Sequence, residues 1–572
     1  MNFRWSIAPQ KQSEAEHLAQ ELGVSELLGQ CLVNRGHSDI EEARRFLKPQ
    51  LKNLAHPLEI PNMSGAVERL FKARDAGEKI VIFGDYDVDG VTSTSLLVEV
   101  LQEFGWDINA YLPHRLNDGY GLSRIAVGNC LERFSPSVFL AVDCGSTAGD
   151  TIDFLNEKGV DVIVLDHHQI ADPPPAAVAL VNPQINGGPF CELCSVGLAF
   201  KLAHTIVMHC RELNQPPSAQ DYDLKPLLDL VALGTVADLV PLVRENRILV
   251  TSGLNRLNQT RRAGLLALME VAQVRDKIGV FEISFQLGPR INASGRLEDA
   301  MASLELLLCS DVEAAKQQAL ELDACNRERQ QIEKGIADQA ISAVREEFDP
   351  EEDFVIVQGS LDWHVGVVGI VASRVLREFY RPTIILGGEG AELRGSGRSV
   401  EGFDLAEALR ECDDLLVRHG GHAMAAGLSI SPENLPAFRE RINNFAKKIL
   451  TKESFSPVIK LDAEVPLAAM ALPRMEELMS LRPFGAGNVP LQFAARNVVL
   501  QSLPHRMGNE GQHAKFWVTD GEVSNEVLWW NCGKQAMPEG HFDLAFAPQI
   551  NDYNGRRSIQ LKMLNWQPTQ TS

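Results

Sequence analysis

The sequence predicts a multidomain α/β protein: a parallel-sheet domain, a smaller α/β domain joined to it by a long helix, and a small β-barrel at the C-terminal end. Three observations carry this prediction. Continuous apolar runs, each ending in acidic residues and followed by a turn or a helical pattern, recur between residues 80 and 170. A polar stretch, Asp311–Phe348, has no proline, one glycine and mostly helix-forming residues. From about residue 455 the pattern changes to short strands separated by turn signals.

The first run carries chemistry. In Val81–Thr94, VIFGDYDVDGVTST, the residues Asp85, Asp87 and Asp89 fall within five positions. An uncompensated buried carboxylate takes up a proton instead of staying charged, so a divalent cation is the expected counter-charge. Asp85-x-Asp87-x-Asp89-Gly90 matches the first half of an EF-hand loop, but the twelfth position, which must be a bidentate Glu, is Leu96. The flanks disagree as well. KIVIF before the aspartates reads as a buried strand, and TSTSLLVEVLQEFG after them as a helix. SVFLAVDCGST (Ser137–Thr147) is a second strand, ending at Asp143, and VDVIVLDHHQ (Val160–Gln169) a third, ending in Asp166, His167 and His168.

Parallel strands covered on both faces read as continuous apolar runs, and ligands gather beyond their carboxyl ends. Asp85, Asp87, Asp143, Asp166, His167 and His168 are therefore expected on one edge. Asp238, inside the apolar LLDLVALGTVADLVPL, is a further acid in need of a partner. Any single Asp here could be a helix cap; the set at successive strand ends is better explained by metal. Carboxylates with one or two imidazoles and no thiolate suit manganese or magnesium better than structural zinc. The acids suffice for two ions sharing a bridging carboxylate, and Asp143, between the other ligand pairs, is the expected bridge.

The chain of 572 residues exceeds one ordinary core, and its 45% hydrophobic and 23% charged content is that of a folded soluble protein. No run of about 18 apolar residues predicts a membrane span. MNFRWSIAPQ lacks a signal-peptide core, and ten scattered cysteines fit a reducing cytoplasm. A net charge of −22 gives no global basic footprint, so any nucleic acid must be held by local patches or by metal.

The expected domains are a helical region at 1–50, a metal-binding domain at 51–310, a connector helix at 311–349, a second α/β domain at 350–450 and a β domain at 455–567. The connector would be about 57 Å long at about 1.5 Å per residue, with a coiled coil as the alternative. In the second α/β domain, Gly420-Gly421-His422 reads either as an anion-binding backbone with an imidazole donor or as a simple turn. Ser396, Arg398 and Ser399 in GSGRS, and Arg290, Asn292 and Arg296 in GPRINASGR, read as polar basic loops suited to phosphates, or as surface turns. In the β domain, His505, Arg506, His513, Lys515, Phe516, Trp517, Arg556 and Arg557 mix basic and aromatic side chains, as grooves for single strands do. Phe516 and Trp517 alternate faces, so at least one belongs to the core. CELC (Cys191–Cys194) with His204 and His209 is a near miss for zinc; buried structural cysteines are the better reading.

The segments DYDVDG, VDCGS, DHHQ and GTVADLVPL, in this order, resemble the DHH phosphoesterase superfamily. LPHRLNDGYGLS, GPRINASGR, LDWHVGVVGIVASR, GSGRS, RHGGHAMAAGLSI and RPFGAGN narrow the resemblance to its bacterial single-strand-specific 5′→3′ DNA exonucleases. The resemblance spans about residues 50 to 565. It implies a DHH domain, a DHHA1 domain and an OB-fold. It assigns metal ligation to Asp85, Asp87, Asp143, His167 and Asp238, with His168 beside the scissile phosphate and Asp166 supporting both imidazoles. It assigns substrate contacts to Arg115, Arg290, Asn292, Arg296, His364, Ser396, Arg398, Gly420, Gly421 and His422. Some relatives carry an extra His four residues before the first Asp; Val81 stands there, so one ion has fewer protein ligands.

The expected function is a metal-dependent exonuclease, using Mn2+ or Mg2+, that degrades single-stranded DNA 5′ to 3′ to mononucleotides in repair and recombination. The resemblance implies a cytoplasmic monomer working with a single-strand-binding protein and repair helicases. Hydrolysis of pyrophosphate or short oligonucleotides is the alternative within enzymes, but it needs neither the long helix nor the β domain. A non-catalytic replisome scaffold is disfavoured by the complete ligand set.

Overall fold

The structure, a computed structural model, describes residues 3–114, 121–188, 190–297, 299–533, 535–553 and 555–569. It forms two compact units, one of Leu54–Val240 and Ile248–Phe455, the other of Met1–Asn53, Pro241–Arg247 and Ser456–Ser572.

The first unit is built on a parallel sheet of β1 (Ile80–Gly84), β2 (Ile108–Tyr111), β3 (Val138–Val142), β4 (Asp161–Leu165) and β5 (Ala179–Val181), in the order β2-β1-β3-β4-β5. Every residue of β1 and β3 is buried, which is why these strands read as unbroken apolar runs. Val81, Phe83, Phe139, Ala141, Val162 and Val164 fill the core on one face. Helix α1 (Val88–Glu103) follows the acidic turn and packs against α2 (Ser195–Leu213) and α3 (Leu228–Ala237). Among the described residues, no helix is long and apolar enough to cross a membrane.

Two segments differ from expectation. GPRINASGR is not a loop: α4 (Gly288–Leu297) is a helix, and it follows a π-helical turn, Ile283–Leu287. The long connector is α5 (Val312–Glu347), 36 residues, capped by Asp311, whose carboxylate accepts from Ala314 N–H at 2.7 Å. It is not a paired coiled coil among the described residues. It packs on α4, where Arg290 pairs with Asp323, and on the helix Ala263–Val271. Its second half joins the next core through Ile336, Ala337, Ala340 and Val344.

That core carries a second sheet, β6 (Ile356–His364), β7 (Thr383–Glu389), β8 (Glu392–Arg398), β9 (Leu416–Gly421) and β10 (Ala425–Ile430), ordered β9-β10-β8-β7-β6, with α6 (Val368–Phe379) against it. β6 and β7 are parallel, and the other pairs antiparallel. GSGRS is therefore the end of strand β8 and not a loop.

In the second unit, Arg4–Ile7 pairs in parallel with Val458–Leu461. The helices Gln12–Leu22, Glu26–Asn34 and Ile40–Leu47 share one core with the C-terminal strands, where Leu18, Leu28 and Phe46 join Leu478, Phe493 and Phe516. The first 50 residues, read from sequence as a region apart, thus fold with the β domain. Phe493–Leu500, Phe542–Tyr553, Arg556–Pro568, Ser524–Trp529 and His513–Thr519 pair in turn, and Val499 opposite Thr519 closes the ring. Arg247, 2% exposed, donates to the carbonyls of Phe46, Leu481, Ser480 and Arg482 and stacks on the Phe46 ring.

Candidate metal centre

The register that aligns the parallel strands also aligns the residues that follow them. Gly84, Val142, Leu165 and Val181 lie side by side. Asp85 N–H then donates to Val142 O at 3.2 Å, Asp143 N–H to Leu165 O at 3.0 Å and Asp166 N–H to Val181 O at 3.1 Å. Asp85, Asp143 and Asp166 therefore stand in one row with Asn182 at the carboxyl edge of the sheet.

The chain leaves this row differently at each strand. After β1, Asp87 caps α1, its Oδ1 accepting from Asp89 N–H (2.9 Å) and Gly90 N–H (3.2 Å). The helix starts so close to the strand end that a Cβ on Gly90 would lie 2.3 Å from Asp85 O. After β3, Asp143 takes φ +64°, a left-handed conformation that Asp tolerates better than most residues. Asp238 is the C-terminal cap of α3.

These turns bring the acids together. Ligand atoms of Asp85, Asp87 and Asp143 lie within 4.8 Å of one another; so do those of Asp143, His167 and His168, and those of Asp89, Cys194 and Asp238. Asp143 belongs to two of these groups. His167 Nε2 lies 3.5 Å from both Asp143 Oδ1 and Asp238 Oδ2. Burial and mutual repulsion raise the carboxyls: Asp143 well above its ordinary value, Asp89 to about 7 and Asp238 to about 9. Burial and the neighbouring His168 lower His167 to about 4, which leaves a neutral ring able to ligate a cation. The buried His167 Nε2 and Asp238 Oδ2 find no hydrogen-bond partner among the described residues. A cluster of repelling acids and an unsatisfied imidazole nitrogen is what a divalent cation would resolve, so the residues present fit one.

His168 differs from its neighbour. Its Nδ1 lies 2.7 Å from Asp166 Oδ1, and this contact raises it to about 9. Asp166 also accepts from the backbone N–H of Ser146, His167 and His168. Burial alone would raise its carboxyl, but the His168 contact and these donors hold it well below the ordinary range.

Arg296, His364 and Arg398 lie around the start of α6. Arg296 Nη1 donates to Gly366 O at 3.1 Å, and His364 Nδ1 accepts from Gly366 N–H at 3.1 Å. A Cβ at Gly369 would lie 3.2 Å from both Arg398 Nη2 and Ser396 Oγ, so those side chains reach the same helix. Arg398 lies opposite Ala425, whose carbonyl accepts from His422 N–H at 2.8 Å. Gly420 and Gly421 end strand β9. Arg290 is held by Asp323 (2.9 Å) and Gln286 O (2.7 Å), and Asn292 Oδ1 accepts from Val88 N–H at 3.1 Å. Arg115 lies outside the described residues.

Sequence pattern alone does not reveal the roles of four polar residues, Asp89, Ser146, Asn182 and Ser195. Asp89 receives the N–H groups of Ser195 and Val196 at 2.7 and 2.8 Å, fixing the start of α2. Ser195 Oγ donates to Asp143 Oδ1 at 2.9 Å. Asn182 Nδ2 donates to Ser146 Oγ and His168 O, both at 2.8 Å. The signals were present: Ser195 opens a helical pattern after CELC, and Asn182 ends the short apolar run VALV. Val81, four residues before Asp85, is packed in the sheet core and offers no ligand. The cysteine–histidine near miss does not gather as a zinc site among the described residues: Cys194 groups with Asp89 and Asp238, without Cys191, His204 or His209, and His209 packs edge-on against Phe71. In the ring of strands Phe516 is core at 1% exposed and Trp517 is 42% exposed. Its cations are largely engaged: Arg506 on the carbonyls of Gly533 and Gln535, Lys515 on Glu526, Arg557 on Glu476.

Comparison with known proteins places these features in a family. The N-terminal domain of the DHH family matches residues 79–235, the DHHA1 domain 352–448 and the RecJ OB domain 461–565. The single-stranded-DNA-specific exonuclease RecJ of Bacillus subtilis is 36% identical over 571 residues, 98% of this chain and 70% of the relative. That of Escherichia coli K12 is 34% identical over 570 residues, 95% and 96% of the two chains. The crystal structure of RecJ from Thermus thermophilus in complex with Mn2+ superposes with a TM-score of 0.84 at 29% identity, covering 99% of this chain and 80% of that one. Its complex with Mg2+ gives 0.78 at 27% identity, covering 99% and 79%. With the parallel sheet, the acid row and all three domain matches in place, the chain belongs to the RecJ family of DHH exonucleases.

Proposed function

We propose that this protein is a metal-dependent exonuclease that degrades single-stranded DNA from the 5′ end to mononucleotides, in DNA repair and recombination. The observation that carries the reading is the buried acid row with the unsatisfied His167 Nε2, a site that one or two divalent cations complete. Family relatives named as single-stranded-DNA-specific exonucleases, with structures holding Mn2+ and Mg2+, support it. By family we extend the reading to a single-strand-binding protein and repair helicases as partners.

Asp85, Asp87, Asp143, His167 and Asp238 would hold Mn2+ or Mg2+, with Asp143 shared between two ions. Bound there, the metal would supply activation of a water and stabilisation of charge on the phosphodiester, whose P–O bond to the leaving nucleotide breaks. The chain does the rest. Asp166 fixes the His168 ring and keeps it cationic at neutral pH, beside the place the scissile phosphate would take. Ser195 orients the Asp143 carboxylate. Arg296, His364, Ser396, Arg398 and the Gly420-Gly421-His422 turn would receive the terminal phosphate, while Arg290 and Asn292 hold the helix that presents Arg296.

Strands labelled at either end test this. With Mn2+ or Mg2+, a 5′-labelled single strand should release labelled mononucleotide first, a duplex should resist, and chelator should stop the reaction. Earlier loss of a 3′ label, equal attack on duplex or hydrolysis in chelator would overturn the proposal.

A further inference from the structure

Two aromatic rings stand in water on the segment that leads into α4. Phe281 is 60% exposed and Phe285 is 67% exposed, and the two rings pack on each other with centroids 5.0 Å apart. Phe281 and Phe285 are four residues apart and so share one helix face, while Ile283 and Leu287, fully buried, lie on the other; a π-helical turn spans Ile283–Leu287. Such turns cost stability in an ordinary helix and recur at functional sites.

The turn runs directly into α4, and α4 is tied to the acidic turn by Asn292, which accepts from Val88 N–H, one residue after Asp87. Phe285 is seven residues before Asn292, about 10 Å along a helix axis, and Phe281 about 16 Å. The exposed area is small. Two phenylalanine rings offer at most about 400 Å², half of what a stable protein partner covers on one side. A planar ring of base size fits them better than a protein surface does.

We infer that Phe281 and Phe285 form a stacking platform for bases of the single strand whose end lies in the metal centre. The inference rests on the exonuclease reading. At about 3.4 Å per stacked nucleotide, the platform would meet bases about three to five nucleotides from the scissile bond. Stacking accepts every base, so the platform would lengthen the grip on a strand without imposing sequence preference. It also selects against duplex, whose bases offer no free faces.

Steady-state hydrolysis by the full chain tests this, using an intact strand and a strand made abasic at nucleotides three to five. The double variant Phe281→Ala, Phe285→Ala should raise KM for the intact strand about tenfold or more and leave kcat within twofold. Abasic sites should raise the wild-type KM similarly and add nothing further to the double variant. Phe285→Trp should keep the low KM. A double-variant KM within twofold of wild type, or an abasic effect undiminished in the variant, would overturn the platform. If wild-type protein leaves single strands uncut, the exonuclease reading itself fails, a different result from active protein indifferent to the rings.

Discussion

Asp143 links the parts of the acidic site. It stands in the edge row, receives Ser195 Oγ and belongs to two ligand groups. Because it sits at φ +64°, Asn is the better substitution, since Ala is less at ease in left-handed backbone. Asp143→Asn should lower hydrolysis at least about 1,000-fold while circular dichroism and the metal-free Tm stay near wild type; near-normal turnover would remove the shared-carboxylate model. Protons and cations also compete for this cluster. Burial and the repulsion of neighbouring carboxylates raise Asp89 to about 7 and Asp238 to about 9 from 3.8, so ionising them destabilises the metal-free fold progressively as pH rises from about 4 toward those values. A cation relieves that repulsion and must displace protons at low pH. The rise in Tm on adding Mn2+ should therefore be larger at pH 8.5 than at pH 6, and a pH-independent increment would contradict the acid cluster as the binding site. Asp85, Asp87, Asp143, Asp166, His167 and His168 were all readable in the sequence, because strand ends in a parallel sheet must share an edge. Ser195 and Asn182 were not singled out, because a lone hydroxyl or amide has many structural uses and only register shows which one applies.

Among the elements, strands and helices follow from periodicity, but the polar basic segments that read as loops are regular structure. GPRINASGR contains glycine, proline and serine, all weak helix formers, yet Arg290 bridges to Asp323 of α5 and Ile291 is buried, so tertiary contacts override propensity. GSGRS became strand β8 for a related reason: its glycines lie against Ile384, Leu386 and Leu405, where larger side chains would collide. The Gly420-Gly421 pair can be separated by experiment. Gly421 has φ +142° and a Cβ there would lie 2.5 Å from Ala426 Cα, whereas a Cβ at Gly420 meets open space. Gly421→Ala should destabilise the sheet edge by about 2 kcal/mol or more, and Gly420→Ala by less than about 1 kcal/mol. Any loss of activity in Gly420→Ala then reports on what approaches that backbone. Equal stability of the two variants, measured by denaturant unfolding, would show that Gly421 is not sterically required.

At the scale of the whole molecule, the sequence could not show that residues 1–53 complete the C-terminal domain, because pairing across that distance leaves no local pattern. Removing residues from 455 onward would strip the core from Leu18, Leu28 and Phe46, so such a truncation tests folding as much as DNA binding. Arg247 gives a finer probe. Arg247→Leu would leave the carbonyls it serves without their donor, and should cost the unit made of Met1–Asn53, Pro241–Arg247 and Ser456–Ser572 about 3 kcal/mol or more. Limited proteolysis should then open the segment around Phe46 first; unchanged resistance would refute the role given to this guanidinium.

The pairing of Arg4–Ile7 with Val458–Leu461 also sets a clock. A ribosome adding about 5–20 residues per second needs roughly 20–90 seconds to travel from one strand to the other. During that interval the opening strand and the three helices after it have emerged without the surface that buries them. The metal-binding and DHHA1 sheets draw on residues made in between, and can form first. Nascent chains stalled before residue 456 should thus yield a protease-resistant middle and a cleavable beginning, and release of the full chain should protect both.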